Sequence, residues 1–151
     1  MHSYLILTPD NQAAYANNPL FQNIDANGNR FATIGAGPNW YWFLEAGINR
    51  DHDIHDPINY RQKLQLPCRY KNEDEAIATL IGLAIKYNDN KTYYEILPFR
   101  LFGLASGFNS NSFIAGLGLE AGFALPAYGS TGGSTPGYQN PIPSFHFEHP
   151  P

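Results

Sequence analysis

The chain contains a single cysteine, and only 15% of its 151 residues are charged. One cysteine excludes an internal disulfide, and no histidine lies close to Cys68 in the sequence to mark it as a thiolate nucleophile. We therefore expect Cys68 to be a small buried hydrophobic residue. The nine lysines and arginines are spread thinly, and the formal net charge is −4. This composition predicts no nucleic-acid partner.

The chain also lacks a long hydrophobic run. Its first apolar run, Tyr4-Leu5-Ile6-Leu7, is much shorter than a signal-peptide core. No stretch approaches the roughly 20 apolar residues that a membrane-spanning helix needs. The sequence therefore predicts neither a membrane span nor an export signal.

What the chain does contain is enough apolar material, 43% of its residues, for one core of ordinary size. We expect one α+β domain over residues 1–125. From Pro126 onward the chain is rich in Pro, Gly, Ser and Thr, which predicts a C-terminal segment, residues 126–151, that either wraps the core or stays mobile.

Alternating and β-branched patterns predict strands over residues 3–8, 31–34, 40–44 and 92–97. Residues 35–38, Gly-Ala-Gly-Pro, are expected to break the second of these strands into a loop where backbone approaches something closely. A helix is predicted over residues 73–87, with Asn72 as its N-cap and Glu75 in the capping-box position. Its buried positions should be Ile77, Leu80, Ile81, Ala84 and Ile85.

The residues most informative about function are 109–113, Asn-Ser-Asn-Ser-Phe, at the start of a second apolar helix that should end near Gly122. Ser110 would lie in its first turn, beside free N–H groups and the positive end of the helix dipole. An activated hydroxyl or a developing oxyanion is stabilised at such a place. The structural alternative is that Asn109 or Ser110 only caps the helix.

A serine hydroxyl attacks well only when a base takes its proton and donors hold the oxyanion. Among the five histidines, His2 is the first choice as base, because it opens a strand and a strand positions a side chain more reliably than a loop. The remaining candidates for the oxyanion site and the cleft are Asn109, Asn111, Gly35, Gly37 and Trp40, with Tyr41 and Trp42 beside Trp40.

Residues 51–56, Asp-His-Asp-Ile-His-Asp, offer five side chains that bind divalent cations elsewhere. A run of adjacent residues is more typical of a solvated acidic loop, because a zinc site takes ligands from separate elements. We expect neither a bound metal nor a cofactor. Residues 35–38 also lack the third glycine, the lysine and the following helix of a phosphate-binding loop.

Three of these features together resemble a known group of proteins. They are the strand opened by His2, the Gly-x-Gly-Pro segment at Gly35 and the Asn-Ser-Asn-Ser-Phe helix at Asn109. The combination resembles bacterial domains found in polymorphic-toxin, Rhs-type and type VI secretion contexts. Their layout is in turn similar to the circularly permuted branch of the papain-like superfamily that includes NlpC-type peptidases and lecithin:retinol acyltransferase.

In that branch the histidine strand precedes the nucleophile helix, and the nucleophile is a cysteine that follows an asparagine. The resemblance implies Ser110 as nucleophile and His2 as base, with serine in place of the family's cysteine. It implies a permuted papain-like α+β fold, an antiparallel sheet packed by two main helices. It also implies a hydrolase or acyltransferase acting on a peptidoglycan peptide or a lipid ester, located in the bacterial cytoplasm, with secretion that needs no signal peptide.

The competing hypothesis is a catalytically inactive binding or adaptor module of a secretion or toxin system. Its cleft would grip a protein partner, and Ser110 would only cap its helix. The two hypotheses differ in geometry, because an enzyme needs a histidine beside the Ser110 hydroxyl and an adaptor does not.

Overall fold

The computed structural model describes residues 2–55, 61–95, 107–126 and 135–148. It has an α+β fold, which confirms the predicted class: a four-stranded antiparallel sheet and two main helices. The strands are β1 (Leu5–Leu7), β2 (Asn23–Ile24), β3 (Arg30–Pro38) and β4 (Leu44–Ile48). The helices are α1 (Asp51–His55), α2 (Glu73–Asp89) and α3 (Ser110–Glu120). Short 3-10 helices cover Gln12–Tyr15, Pro19–Phe21 and Ser144–Phe147.

Strand β3 is the centre of the sheet and pairs with each of the other three strands. Leu5 of β1 and Ile48 of β4 both lie opposite Ile34. Because side chains alternate along a strand, β3 has two different faces. Ala32, Ile34 and Ala36 point into the hydrophobic core, which α2 and α3 complete.

Part of the opposite face of β3 and β4 has no side chains. Gly35 lies directly across from Gly47, and Gly37 follows two residues later on the same face. We call the surface formed by Gly35, Gly37 and Gly47 the glycine face. The segment after β4, from Arg50 into helix α1, packs over it.

The prediction that residues 35–38 form a loop is therefore wrong. All four residues lie in β3, paired with Leu44 to Gly47 of β4. The expected close approach does occur, but not in a loop: the glycines lie in a strand, and a side chain from another part of the chain packs against them. Glycine is usually unfavourable in a strand, and here it marks a place where something else packs against the backbone.

The predicted aromatic strand over residues 40–44 is also wrong. Residues 40–43 form the turn that joins β3 to β4, because the Asn39 Oδ1 atom accepts hydrogen bonds from the N–H groups of Tyr41 and Phe43, both at 3.0 Å. An asparagine side chain that bonds the backbone in this way favours a turn over a strand. Trp42 has a positive φ of 60° within this turn. Strand β4 begins only at Leu44.

Helix α2 begins and ends close to the predicted positions. The Asn72 side chain accepts from the Glu75 N–H at 3.0 Å, as expected of an N-cap, whereas the Glu75 carboxylate bonds the Lys71 N–H at 2.8 Å. Leu80 is buried as predicted, but Ile81 is only partly buried and Ile85 is 57% exposed. The buried stripe of the helix is therefore narrower than the hydrophobic pattern predicted.

Helix α3 is buried along almost its whole length. At its end Gly122 has a φ of 75°, its N–H bonds the Leu119 carbonyl, and the Phe123 N–H bonds the Gly118 carbonyl. This pair of hydrogen bonds is the usual glycine-terminated helix end, so the predicted stop at Gly122 is confirmed.

Within the C-terminal segment, residues 135–148 pack against helix α3. The Ile142 N–H bonds the Ser112 carbonyl at 3.0 Å, and Ile142 and Phe147 are buried in the core. The division at residue 125 stays a prediction.

Two further expectations concern the connections between these elements. Cys68 is exposed, so its predicted burial is wrong: it lies in the irregular segment before α2, outside the hydrophobic core. In the predicted strand over residues 92–97, Tyr93 and Tyr94 form isolated bridges, and residues 96 and 97 lie outside the described part.

Over the described ranges no helix has both the length and the apolar character to cross a membrane.

Candidate functional site

A cavity of about 340 Å³ opens between the start of β1, the end of β3 and the start of α3. It brings together five of the seven residues that the sequence singled out: His2, Gly37, Asn109, Ser110 and Asn111. His2 and Ser110 are far apart in the sequence, and only the fold places the first strand beside the first turn of α3. The two other candidates, Gly35 and Trp40, are not among its lining residues.

Asn109 caps helix α3, as the sequence predicted for this position or the next. Its Oδ1 atom accepts from the N–H of Asn111 at 2.9 Å and of Ser112 at 3.2 Å. Its Nδ2 atom donates to the Pro136 carbonyl at 2.9 Å, and Asn111 Nδ2 donates to the same oxygen at 2.9 Å. Residues 135–137 therefore hold the first turn of α3 from outside, and both asparagine amides serve this purpose.

The cap has a consequence for the first turn. Two of its backbone N–H groups are taken up by Asn109, and the Phe113 N–H bonds the Asn109 carbonyl at 3.0 Å. Among the described residues, neither the Ser110 N–H nor the Ser110 hydroxyl has a hydrogen-bond partner. Ser110 lines the cavity together with His2, but no hydrogen bond joins its hydroxyl to that imidazole, so the contact by which an enzyme would differ from an adaptor is not formed in this structure.

His2 is oriented by a buried carboxylate that the sequence did not single out as part of the site. Its Nε2 atom lies 2.7 Å from Oδ1 of Asp53, whose side chain is fully buried. A carboxylate in this place holds the imidazole ring and favours a proton on Nε2. The other ring nitrogen, Nδ1, is then the one with a lone pair available to accept a proton.

Gly35 makes room for this carboxylate. A Cβ atom at Gly35 would overlap Oδ2 of Asp53 and would lie 2.8 Å from its Cγ. Gly35 is thus one layer behind the cavity rather than in its wall. The Gly-x-Gly pattern matters because it lets Asp53 lie flat against the strand and reach His2.

Arg50 crosses the same glycine face. A Cβ atom at Gly47 would lie 2.6 Å from Cγ of Arg50, and one at Gly37 would overlap its guanidinium group. Its Nη1 atom lies 3.8 Å from Oδ2 of Asp53, and neither of these two buried atoms has a hydrogen-bond partner among the described residues. Arg50 itself lines the cavity.

A second histidine, His52, also lines the cavity, and its ring centroid lies 5.2 Å from that of His2. His55 is exposed and pairs with Asp51, whereas His146 bonds the Asn90 carbonyl elsewhere in the fold. His149 lies outside the described residues. His2 thus lines the cavity with a buried carboxylate bonded to its Nε2 atom.

The aromatic residues expected in the cleft lie elsewhere. Trp40, Tyr41 and Trp42 are 92%, 75% and 60% exposed on the β3–β4 turn. The Asn39 turn directs them into solvent, so the prediction that Trp40 lines the cleft is wrong.

The acidic segment at residues 51–55 forms the short helix α1 instead of a loop, and residue 56 lies outside the described part. Its members face different ways: Asp53 is buried against the sheet, whereas Asp51 and His55 are exposed. Within the described ranges no three His, Cys, Asp or Glu side chains form a group that could hold a metal ion.

Sequence reasoning missed Asp53 as a partner of His2 and missed Arg50 altogether. A usable signal was present in the glycines. Two glycines at positions i and i+2 of one strand, facing a third on the next strand, indicate a flat surface that a following side chain can cover. Arg50 and Asp53 are the first charged side chains after β4 that are spaced to lie on one side of a helical turn.

Comparisons of the chain with protein-family models, with curated protein sequences and with solved structures found no match. The likeness to toxin-associated and papain-like domains therefore stays a prediction from the sequence motifs.

Proposed function

We propose that this protein hydrolyses an amide or ester bond, or transfers its acyl group, with Ser110 as nucleophile and His2 as general base. The observation that carries the proposal is the 2.7 Å contact between His2 Nε2 and the buried Asp53 carboxylate, at the wall of the cavity that Ser110 also lines. A nucleophile, a base and a group that orients the base are the three parts that serine-type acyl transfer requires.

The roles follow from which atoms are engaged. Because Asp53 holds Nε2, the Nδ1 atom of His2 takes the proton from the Ser110 hydroxyl as its Oγ attacks the carbonyl carbon. The negative charge that develops on the carbonyl oxygen is stabilised by the Ser110 N–H and the positive end of the α3 dipole. Collapse of the tetrahedral intermediate breaks the bond to the leaving amine or alcohol, which receives the proton from His2. Water, deprotonated by His2, then attacks the acyl-serine and releases the acid.

The order of the elements supports a permuted papain-like arrangement. The histidine lies before the first strand and the nucleophile lies at the start of a late, buried helix, as in the family that the motifs resemble. The substrates that this resemblance implies are peptidoglycan peptides and lipid esters, and the biological setting it implies is a bacterial effector. Serine in place of cysteine needs a base that takes its proton during the attack, and the Asp53 carboxylate holds the His2 ring for this role.

A substrate-independent experiment tests this proposal. A fluorophosphonate probe reacts with a serine only when its hydroxyl is activated, so it should label Ser110 in the folded protein. Ser110→Ala should abolish labelling, and His2→Ala should reduce its rate by at least about a hundredfold, the usual contribution of a general base. His55→Ala is the matched control, since His55 is an exposed histidine outside the cavity, and it should label at the parent rate.

Labelling of another residue, or labelling that survives His2→Ala unchanged, would contradict the mechanism. Ser110→Cys should react faster with iodoacetamide than free cysteine at neutral pH, because a thiol beside a histidine and a helix N-terminus ionises readily. Turnover of peptidoglycan fragments and short-chain lipid esters by the parent and these variants would then separate the two substrate classes.

The second candidate, a binding or adaptor module, is favoured by one observation, the exposed aromatic turn. Three large side chains, Trp40, Tyr41 and Trp42, stand in solvent on a turn fixed by Asn39. Aromatic residues are enriched where proteins bind partners. Absence of any probe labelling at Ser110, together with loss of partner binding in a Trp40→Ala, Trp42→Ala double variant, would support this function instead.

A further inference from the structure

We propose that the cavity binds a substrate that carries a carboxylate close to the bond that is cleaved, and that Arg50 binds this carboxylate. The inference deepens the proposed function and rests on it for the position of the reacting bond. Among the described residues that line the cavity, Arg50 is the one with a permanent charge, and Asp53 is fully buried behind the lining.

The glycine face fixes the position of the Arg50 guanidinium. The methylene groups lie against Gly47 and the guanidinium lies against Gly37, each at a distance that a Cβ atom would not allow. The side chain is 28% exposed, so it is held in place but still reaches the cavity. A long side chain with restricted motion loses less entropy when it binds a ligand.

Neutralisation of Asp53 alone does not explain this arrangement. An arginine that serves a buried carboxylate usually forms two parallel N–H···O bonds with it. Here the shortest approach is 3.8 Å, between Nη1 and Oδ2, and Asp53 uses its other oxygen to bond His2. The guanidinium therefore retains donor capacity that the protein does not use, at the wall of a cavity shared with Ser110.

The shape of the guanidinium favours a carboxylate as the partner of Arg50. The planar fork of an arginine matches the two oxygens of a carboxylate. Phosphate offers similar oxygens, so the experiment must compare the two.

Direct binding tests the subsite without any need for turnover. The ligands are N-acetyl-alanyl-alanine with a free carboxylate, the same compound as its C-terminal amide, and inorganic phosphate. They are titrated into the full chain while NMR follows the Arg50 Nε–H signal and the backbone N–H of Ser110. The acid should bind at least about tenfold more tightly than the amide, as expected for one charge-assisted pair, and should shift both signals.

Arg50→Gln should reduce the ratio of acid to amide affinity to about one, and Arg50→Lys should keep part of it because the charge remains without the fork. Arg69→Gln is the matched control: Arg69 bonds the Glu120 carbonyl at the far end of α3, and its loss should leave the ratio unchanged. Melting curves of both Arg50 variants identify any loss of folding. If Arg50→Gln is unfolded, the ratio of acid to amide affinity is measured in Arg50→Lys, where it should be lower than in the parent.

Equal affinity of acid and amide for the parent protein would overturn the inference, as would a preference that survives Arg50→Gln. Phosphate binding that is tighter than carboxylate binding would overturn the choice of a carboxylate. Failure of this subsite is distinguishable from failure of the proposed function, because fluorophosphonate labelling of Ser110 does not require Arg50 to bind a substrate carboxylate.

Discussion

Replacement of Gly35 by alanine should disturb both the stability and the candidate site through one added methyl group. A Cβ atom there would overlap Oδ2 of Asp53, lie 2.8 Å from its Cγ and lie 3.0 Å from Oδ1. The Asp53 side chain is fully buried and bonded to His2, so it moves away only by giving up that bond. Overpacking of this kind costs about 1–3 kcal/mol of unfolding free energy.

The matched control is Gly82→Ala in the middle of helix α2. A Cβ atom at Gly82 would have no neighbour within 4 Å, so alanine meets no obstacle there. Alanine has the higher helix propensity, and this variant should gain about 0.5–1 kcal/mol. The two glycine-to-alanine changes are therefore expected to have opposite signs.

The assay is reversible unfolding in urea, with the midpoint and slope compared among the parent and the two variants. Fluorophosphonate labelling of Ser110 provides the second measurement, and it should slow in Gly35→Ala and stay unchanged in Gly82→Ala. A Gly35→Ala variant as stable as the parent would contradict the expected overlap with Asp53. A variant that is destabilised but labels at the parent rate would also contradict it, because the loss would then not pass through Asp53.

Three further predictions concern packing, pH and metal. Leu80→Ala should cost about 2–5 kcal/mol of unfolding free energy because Leu80 is buried, whereas Ile85→Ala should stay within about 0.5 kcal/mol of the parent in the same urea experiment. Burial, with the hydrogen bond to Asp74 and its charge, raises the pKa of Tyr15 to about 12. The raised pKa of Tyr15 therefore contributes fully to stability below the ordinary tyrosine pKa near 10, and this contribution is lost as pH rises through about 12. The melting temperature should fall across this interval, and it should fall less steeply in Tyr15→Phe. Elemental analysis of protein purified without chelator should find far less than one zinc per chain, because Asp53 faces the sheet and not its neighbours at residues 51–55; one equivalent would contradict this.

The features that the sequence predicted correctly are those decided by neighbouring residues. Asn72 and Asn109 cap helices through bonds to N–H groups two or three residues away, and Gly122 ends a helix through its own positive φ. Such signals can be recognised in a short stretch of sequence, because both partners of each hydrogen bond lie within it. The start of α3, and so the position of Ser110, follows from one of them.

The features that the sequence did not predict depend on contacts between residues far apart in the chain. Gly35 looked like a chain breaker, since nothing nearby in the sequence indicates that Asp53 will lie against it. Trp40 looked like a strand residue because aromatic side chains favour strands, but the single Asn39 side chain decides the local backbone. Asp53 looked like one acidic residue among several, and only the fold separates it from Asp51.

The buried Asp53 carboxylate on the glycine face sets the heat resistance of this protein against its proposed chemistry. A carboxylate taken out of water with one hydrogen bond and one guanidinium 3.8 Å away is held at a free-energy cost. Random variants selected only for survival at high temperature should therefore accumulate changes that remove the Asp53 charge. Such variants would have a more stable sheet, but the His2 imidazole would lose the carboxylate that orients it. Improvement of this protein by selection needs two simultaneous criteria, because thermal survival on its own discards the site.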